Sequence, residues 1–275
     1  MTFLIYTINE KMNKLGWRDH LNIKLTHSNP QIFITSQWQI DHDRPSIIYL
    51  LLRTAIFISF VTITILTYVL AADHAKRTWL IYMTNWGLSI CTLQSLLAFI
   101  MIFYTIISIQ ILDNPKAAVA VLKLYWFYWM LNIMATTIAF TITLIYWTLI
   151  YQTGVWSTMN FMAHGMNSIL MFFDLCIVAH PIRILHFLYP IVFAVIYLTF
   201  TGIYYACGGL DSNGSPYIYP ILKWDNIGFT CKYAAFILVV IIIIHIMTWV
   251  VQVIRKKLAK LRYNSYIRNT TFIYY

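Results

Sequence analysis

From residue 47 onward the chain repeats one pattern six times: a long apolar run, then a short polar break. The runs cover about residues 47–70, 79–104 (continuing toward 112), 124–151, 159–178, 187–207 and 233–253. Each supplies the roughly 20 apolar residues that a helix needs to cross a bilayer core. In lipid every backbone polar group needs an internal partner, so such runs are expected to be helices. The breaks hold turn and charged residues: Asp73 to Arg77, Asp113-Asn-Pro-Lys116, His180 to His186, and the Gly/Ser/Asn-rich loop 208–216. Residues 1–46 are polar, mixed in charge and without a sustained period, which predicts a cytosolic tail with at most one short amphipathic helix. Residues 254–263 are basic and amphipathic, suited to an anionic membrane face. The predicted fold is all-α, a polytopic bundle of six transmembrane helices over 47–253, with tails 1–46 and 254–275.

Composition sharpens this. Only 10% of the residues are charged and 60% are hydrophobic, whereas a soluble domain carries about 25% charged residues. The net charge of +10 sits beside the apolar runs rather than on a soluble patch, so it reads as orientation signal and lipid-phosphate contact, not as a nucleic-acid footprint. With six spans, one side collects fourteen Lys and Arg and the other four (Lys76, Arg77, Lys223, Lys232), leaving out Arg53 within the first run. That bias predicts both termini in the cytosol. The first fourteen residues make a poor signal peptide, because a short apolar run precedes the charges and no small-residue cleavage site follows. Asn213-Gly-Ser215 is a glycosylation sequon in a loop placed outside by this topology, while Asn269-Thr-Thr271 lies on the cytosolic tail. The aromatic ends of the third run (Tyr125, Trp126, Tyr128, Trp129; Tyr146, Trp147, Tyr151) fit interfacial girdles.

Four cysteines show no metal-ligand spacing, and neither a metal nor a cofactor is implied. Cys91 and Cys176 lie in apolar runs; Cys207 and Cys231 bracket the last loop and could pair in an oxidising lumen. The chemistry-bearing groups are the polar residues inside the runs, which are costly in hydrocarbon unless partnered. Residues 162–174, MAHGMNSILMFFD, hold His164, Asn167 and Asp174. Thr84 and His164 each follow by five residues the start of a span that enters the membrane from the outer face, which places both roughly 7–8 Å below the outer boundary. The stretch 217–222 lies just above that layer. A Thr hydroxyl beside a neutral imidazole can serve as nucleophile and general base, and Asn85 or Asn167 could donate to an oxyanion. Thr84 could equally bond its own helix backbone. Asp174 lies ten residues past His164 and is expected to pair with Arg183 or His180. His245, mid-span in the sixth run, is either a second polar partner or a satisfied bundle histidine.

Three phrases carry a family resemblance: Phe33-Ile-Thr-Ser-Gln-Trp-Gln39, Trp79-Leu-Ile-Tyr-Met-Thr-Asn-Trp-Gly87, and His164-Gly-Met-Asn-Ser-Ile-Leu-Met-Phe-Phe-Asp174 followed by Pro181-Ile-Arg-Ile-Leu-His-Phe-Leu-Tyr-Pro190. They resemble the rolling stone family over nearly the whole chain, a family whose namesake is associated with myoblast fusion. More distantly, Trp79…Thr84, His164-Gly-Met166 and Tyr219-Pro220 are similar to the androgen-induced family of six-helix hydrolases. Those cleave fatty acid esters of hydroxy fatty acids with a Thr and a His. That similarity implies Thr84 as nucleophile and His164 as base, although Asn85-Trp86-Gly87 and Asn167 depart from it.

Three functions are therefore weighed. One is a membrane lipid-ester hydrolase acting on fatty acyl esters, with membrane lipids as its partners and no nucleic acid. A second is a non-enzymatic membrane protein supporting cell–cell fusion, in the plasma membrane or endoplasmic reticulum. A small transporter fits worst, because the runs lack charged rings and interrupted inverted repeats.

Overall fold

The computed structural model describes residues 19–151 and 157–271. Trp17, Lys11, Lys14, Arg18 and the first fourteen residues lie outside them. Within them the fold is helical, and the one β-type contact is an isolated antiparallel bridge between Ser36 and Val178. Among the described residues five helices are long and apolar enough to cross a membrane. They contain α1 (Ile47–Val69), α2 (Met83–Gln110), α3 (Tyr125–Ile145), α5 (Leu188–Ala206) and α6 (Ile227–Thr271).

The expected fourth span is not one helix of that kind. It is a jointed stretch in which a short helix (Thr158–Phe161) and a π-helical turn (Met162–Met166) lead into α4 (Asn167–Ile177). α3 also ends in a π-helical turn, Tyr146–Ile150. Local chemistry sets several boundaries. The Ser46 hydroxyl accepts from Tyr49 N–H at 3.2 Å and starts α1. Asn114 accepts from Ala117 N–H at 3.2 Å and, with Pro115 at the first position, starts the short helix Pro115–Leu122.

α3 is the central element, packed against α2, α4, α5 and α6. Its small residues Ala135 and Ala139 admit close neighbours, and Gly87 on α2 lies against Ile142, where an added Cβ would come within 2.5 Å of the Ile142 Cδ1 atom. α6 runs for 45 residues without a break. At 1.5 Å per residue it is about 67 Å long, more than the ~45 Å of a bilayer with its headgroups. The basic segment expected to lie on the membrane face therefore continues the last span as a rod. Arg255 within it is buried, giving guanidinium hydrogen bonds to the carbonyls of Leu175 and, at 2.9 Å, His180.

Residues 19–46, expected as a tail, pack into the same end of the bundle as this part of α6. Phe33 and Ile34 are buried against Tyr49, Tyr128 and Trp129. The Ser36 hydroxyl donates to Ile177 O at 2.9 Å and the Trp38 indole to Cys176 O at 2.7 Å, closing the free carbonyls at the end of α4. Arg183, expected beside Asp174, instead donates to the carbonyls of Lys24 and Thr26 and lies 4.8 Å over the Trp129 ring.

Asp174 takes a different partner. Its carboxylate forms a buried ion pair with Arg53 and accepts from the Asn132 amide at 2.8 Å. Arg53 also donates to Tyr128, whose hydroxyl meets His180 Nε2 at 3.2 Å. Burial pushes His180 well below the ordinary histidine range, with the nearby Arg255 adding to the effect. The reason for the changed pairing is depth: Asp174 sits a full turn inside the end of α4, level with Arg53 of α1. Pairing removes two charges from hydrocarbon at once. Tyr128 and Trp129 are correspondingly 0% exposed, so this end of α3 faces the core and only its neighbour Trp126, 49% exposed, suits an interface. His245 bonds Thr137 at 3.3 Å and the Arg183 carbonyl at 2.9 Å, a bundle histidine with both ring nitrogens engaged. Cys207 and Cys231 are free and exposed.

Candidate functional site

The opposite end of the bundle holds Thr84 and His164. The chain approaches α2 through a 3-10 turn (Trp79–Ile81), and Tyr82 is extended, with φ −87° and ψ 130°. The helix that the apolar pattern places from residue 79 therefore starts at Met83, and Thr84 stands in its first turn. That is where unpaired N–H groups and the positive end of the helix dipole lie.

His164 comes from the π-helical turn Met162–Met166. Such turns free backbone groups and recur at functional sites. Here the carbonyl of His164 accepts from the Thr143 hydroxyl at 2.5 Å, and the Ala139 carbonyl accepts from Ser168 at 2.9 Å. The imidazole is stacked on Tyr146, with ring centroids 3.4 Å apart and planes within 4°. Tyr146 opens the π-helical turn at the end of α3, so two irregular turns on neighbouring helices present the two stacked rings. With its plane fixed, His164 places Nδ1 3.3 Å from Thr84 Oγ1.

A third hydroxyl completes the group. Tyr219 reaches in from the loop between α5 and α6; its oxygen accepts from Met83 N–H at 3.0 Å, at the residue before Thr84, and both Tyr219 and Thr84 line the same two cavities. Tyr197 accepts from the same N–H at 3.1 Å and donates to Ile81 O at 2.8 Å, holding the approach turn in place. Burial pushes the Tyr219 phenol up to about 12, so at neutral pH it keeps its proton and remains a donor.

Thr84 separates two spaces. On one side is a cavity of about 550 Å³ whose mixed walls carry the polar side chains of Asn85, Asn160, His164, Asn213 and Ser215. On the other is a narrower apolar cavity of about 100 Å³ between α3, α5 and α6, walled by Ile138, Ile145, Leu198, Ile237 and Ile241. Thr84, Tyr146, Ile150 and Tyr219 line both. Such a boundary can hold an amphipathic ester with its carbonyl at the hydroxyl.

Of the supporting residues expected, Asn85 lines the polar cavity, but its amide nitrogen donates to the Trp79 carbonyl at 2.5 Å. Asn167 is buried beside Thr143 and Ser168, accepting from Ser168 N–H at 2.7 Å, and is not among the cavity walls. In the sequence alone Tyr146 has the signature of an interfacial aromatic, and Tyr219 stands out only within the Tyr219-Pro220 pair. Their roles depend on π-helical turns and a loop fold that hydropathy does not report. Among the described residues no cluster of histidine, cysteine or carboxylate side chains could hold a metal.

A family model described as Protein rolling stone matches residues 7–270 of the chain. The chain is 32% identical to the Protein rolling stone of Drosophila melanogaster over 216 residues, covering 74% of this chain and 76% of that protein. No solved structure matches it. A family match across nearly the full length, together with that identity, shows the lineage: the chain belongs to the rolling stone family.

Proposed function

We propose that this membrane protein is a lipid-ester hydrolase in which Thr84 is the nucleophile and His164 the general base. The observation that carries the proposal is the Thr84 Oγ1 to His164 Nδ1 contact of 3.3 Å at the junction of a polar and an apolar cavity. General-base catalysis needs this reach.

In this reading the acyl chain lies in the apolar cavity and the alcohol part in the polar one. Thr84 Oγ attacks the ester carbonyl carbon as its proton passes to His164 Nδ1, giving a tetrahedral oxyanion. The Tyr219 hydroxyl and the positive end of α2 stabilise that charge. Collapse breaks the bond to the alcohol oxygen, which takes the proton from His164, and leaves an acyl-threonine. Water from the polar cavity, deprotonated by His164, then attacks the acyl carbon, releasing the fatty acid and restoring the Thr84 hydroxyl. Tyr146 keeps the imidazole plane in register through both steps. No carboxylate orients His164 in this scheme; the ring stack takes that place.

Purified protein is expected to react with a fluorophosphonate hydrolase probe, and Thr84→Val, which keeps the shape and removes the hydroxyl, is expected to abolish labelling while leaving the thermal midpoint within a few degrees. Labelling that persists in Thr84→Val excludes Thr84 as nucleophile. The competing function, a non-enzymatic membrane protein supporting cell–cell fusion, predicts no labelling of the wild-type chain at all.

A further inference from the structure

The polar cavity has a distinctive charge pattern. Its walls set amides and hydroxyls among apolar side chains such as Leu70, Trp79 and Met159, with Asp211 as the charged residue among its described lining and neither lysine nor arginine there. Asp211 is fixed: one carboxylate oxygen accepts the N–H groups of Asn213 at 2.8 Å and Ser215 at 2.7 Å, while Gly214 supplies the positive φ of +82° that the turn requires. None of the four cations at this end of the bundle, Lys76, Arg77, Lys223 and Lys232, is in the described cavity lining. Lys76 is paired with Asp73 at 2.9 Å, and Lys223 is held 5.0 Å over the ring of Tyr217, behind one wall of the cavity.

A free carboxylate or phosphate in this cavity would face a like charge with no lysine or arginine in the described lining, and such an arrangement disfavours the ionised form. A small polyol would instead meet amide and hydroxyl partners at Asn85, Asn160, Asn213 and Ser215, each able to donate and accept. The geometry points to a long-chain acyl ester of a small uncharged polyol, of the monoacylglycerol type, as the substrate class of this site. The inference rests on the hydrolase reading above and narrows its alcohol half.

The test uses the full-length protein in uncharged detergent micelles and two esters with the same oleoyl chain. One is 1-oleoylglycerol; the other is the oleoyl ester of a hydroxy fatty acid with a free carboxylate. Hydrolysis of the glycerol ester is expected to be faster by at least about tenfold in kcat/KM, the ratio set by roughly one unit of charge penalty. Equal or faster hydrolysis of the carboxylate ester overturns the inference and leaves the Thr84–His164 reading standing. If neither ester is cleaved while the fluorophosphonate probe still labels Thr84, the substrate class is wrong and the dyad is not. If there is neither cleavage nor labelling, both readings fall together. Asn160→Lys places a cation in the cavity wall and is expected to shrink the preference at least about fivefold by speeding the carboxylate ester. An unchanged ratio in a variant that still cleaves the glycerol ester shows that the alcohol half does not occupy this cavity, and overturns the inference.

Discussion

The hydroxyl of Thr84 and the Nδ1 atom of His164 lie 3.3 Å apart although eighty residues of chain separate them. One stands in the first turn of α2, the other in a π-helical turn that leads into α4. The contact depends on the break at Tyr82, which puts Thr84 at a helix start, and on the Tyr146 ring, which fixes the imidazole plane.

The ring stack gives the first prediction. Tyr146→Leu keeps an apolar side chain at the cavity junction and removes the aromatic face beside His164. An aromatic pair contributes about 0.5–1.5 kcal/mol beyond its buried area, so probe labelling should slow by roughly three- to tenfold with little change in folding. Labelling at the wild-type rate would show that the stack does not position the imidazole.

Arg53 and Asp174 give the second. Both are essentially unexposed, and removing one leaves the other charged or unpaired in hydrocarbon. Asp174→Leu is expected to cost about 3–5 kcal/mol, measured by thermal or denaturant unfolding in detergent. The double variant Arg53→Leu/Asp174→Leu should recover part of that loss, although Tyr128 and Asn132 then lose partners. If the double variant is no more stable than Asp174→Leu, the charge balance is not what holds this end together.

The N-terminal segment gives the third. Phe33 is 1% exposed in the cluster with Tyr49, Tyr128 and Trp129. A buried Phe→Ala change costs about 3–5 kcal/mol, so Phe33→Ala should destabilise the whole protein and expose residues 19–46 to proteolysis. A solvated tail would show no effect on the unfolding midpoint.

His180 gives the fourth. Its folded value is held well below the free value of about 6.5, so the native state binds fewer protons than the unfolded one. Its stabilising contribution is complete above pH ~6.5 and is lost as pH falls below it, at up to about 1.4 kcal/mol per pH unit. His180→Gln should flatten the fall in unfolding midpoint between pH 6.5 and 5. A slope identical to wild type would assign the acid sensitivity to other groups.

Much of this fold is legible in hydropathy alone. The apolar runs mark the five long helices to within a few residues at most ends, because burying apolar side chains in lipid dominates their placement. Thr84 and His164 do share a layer at one end of the bundle, although Thr84 reaches it through a 3-10 turn and an extended Tyr82 rather than through the five helical residues that the apolar pattern implies. Three other features are not legible. The π-helical turns at Tyr146 and Met162 register no change in hydrophobic period over five residues each. Asp174 pairs with Arg53 across 121 positions of sequence, where local spacing favours Arg183. Residues 19–46 look solvated by composition, yet they are fixed by backbone carbonyls and two aromatic side chains, Phe33 and Trp38.

The most direct test of the central claim is to trap the acyl-enzyme. Wild-type protein is mixed with an oleoyl ester, quenched in acid within seconds, digested, and its peptides are read by mass spectrometry. An oleoyl adduct on the peptide bearing Thr84, present in wild type and absent in Thr84→Val and His164→Ala, is the predicted result. Ester cleavage without any adduct at Thr84, or an adduct that survives in Thr84→Val, contradicts the Thr84–His164 mechanism.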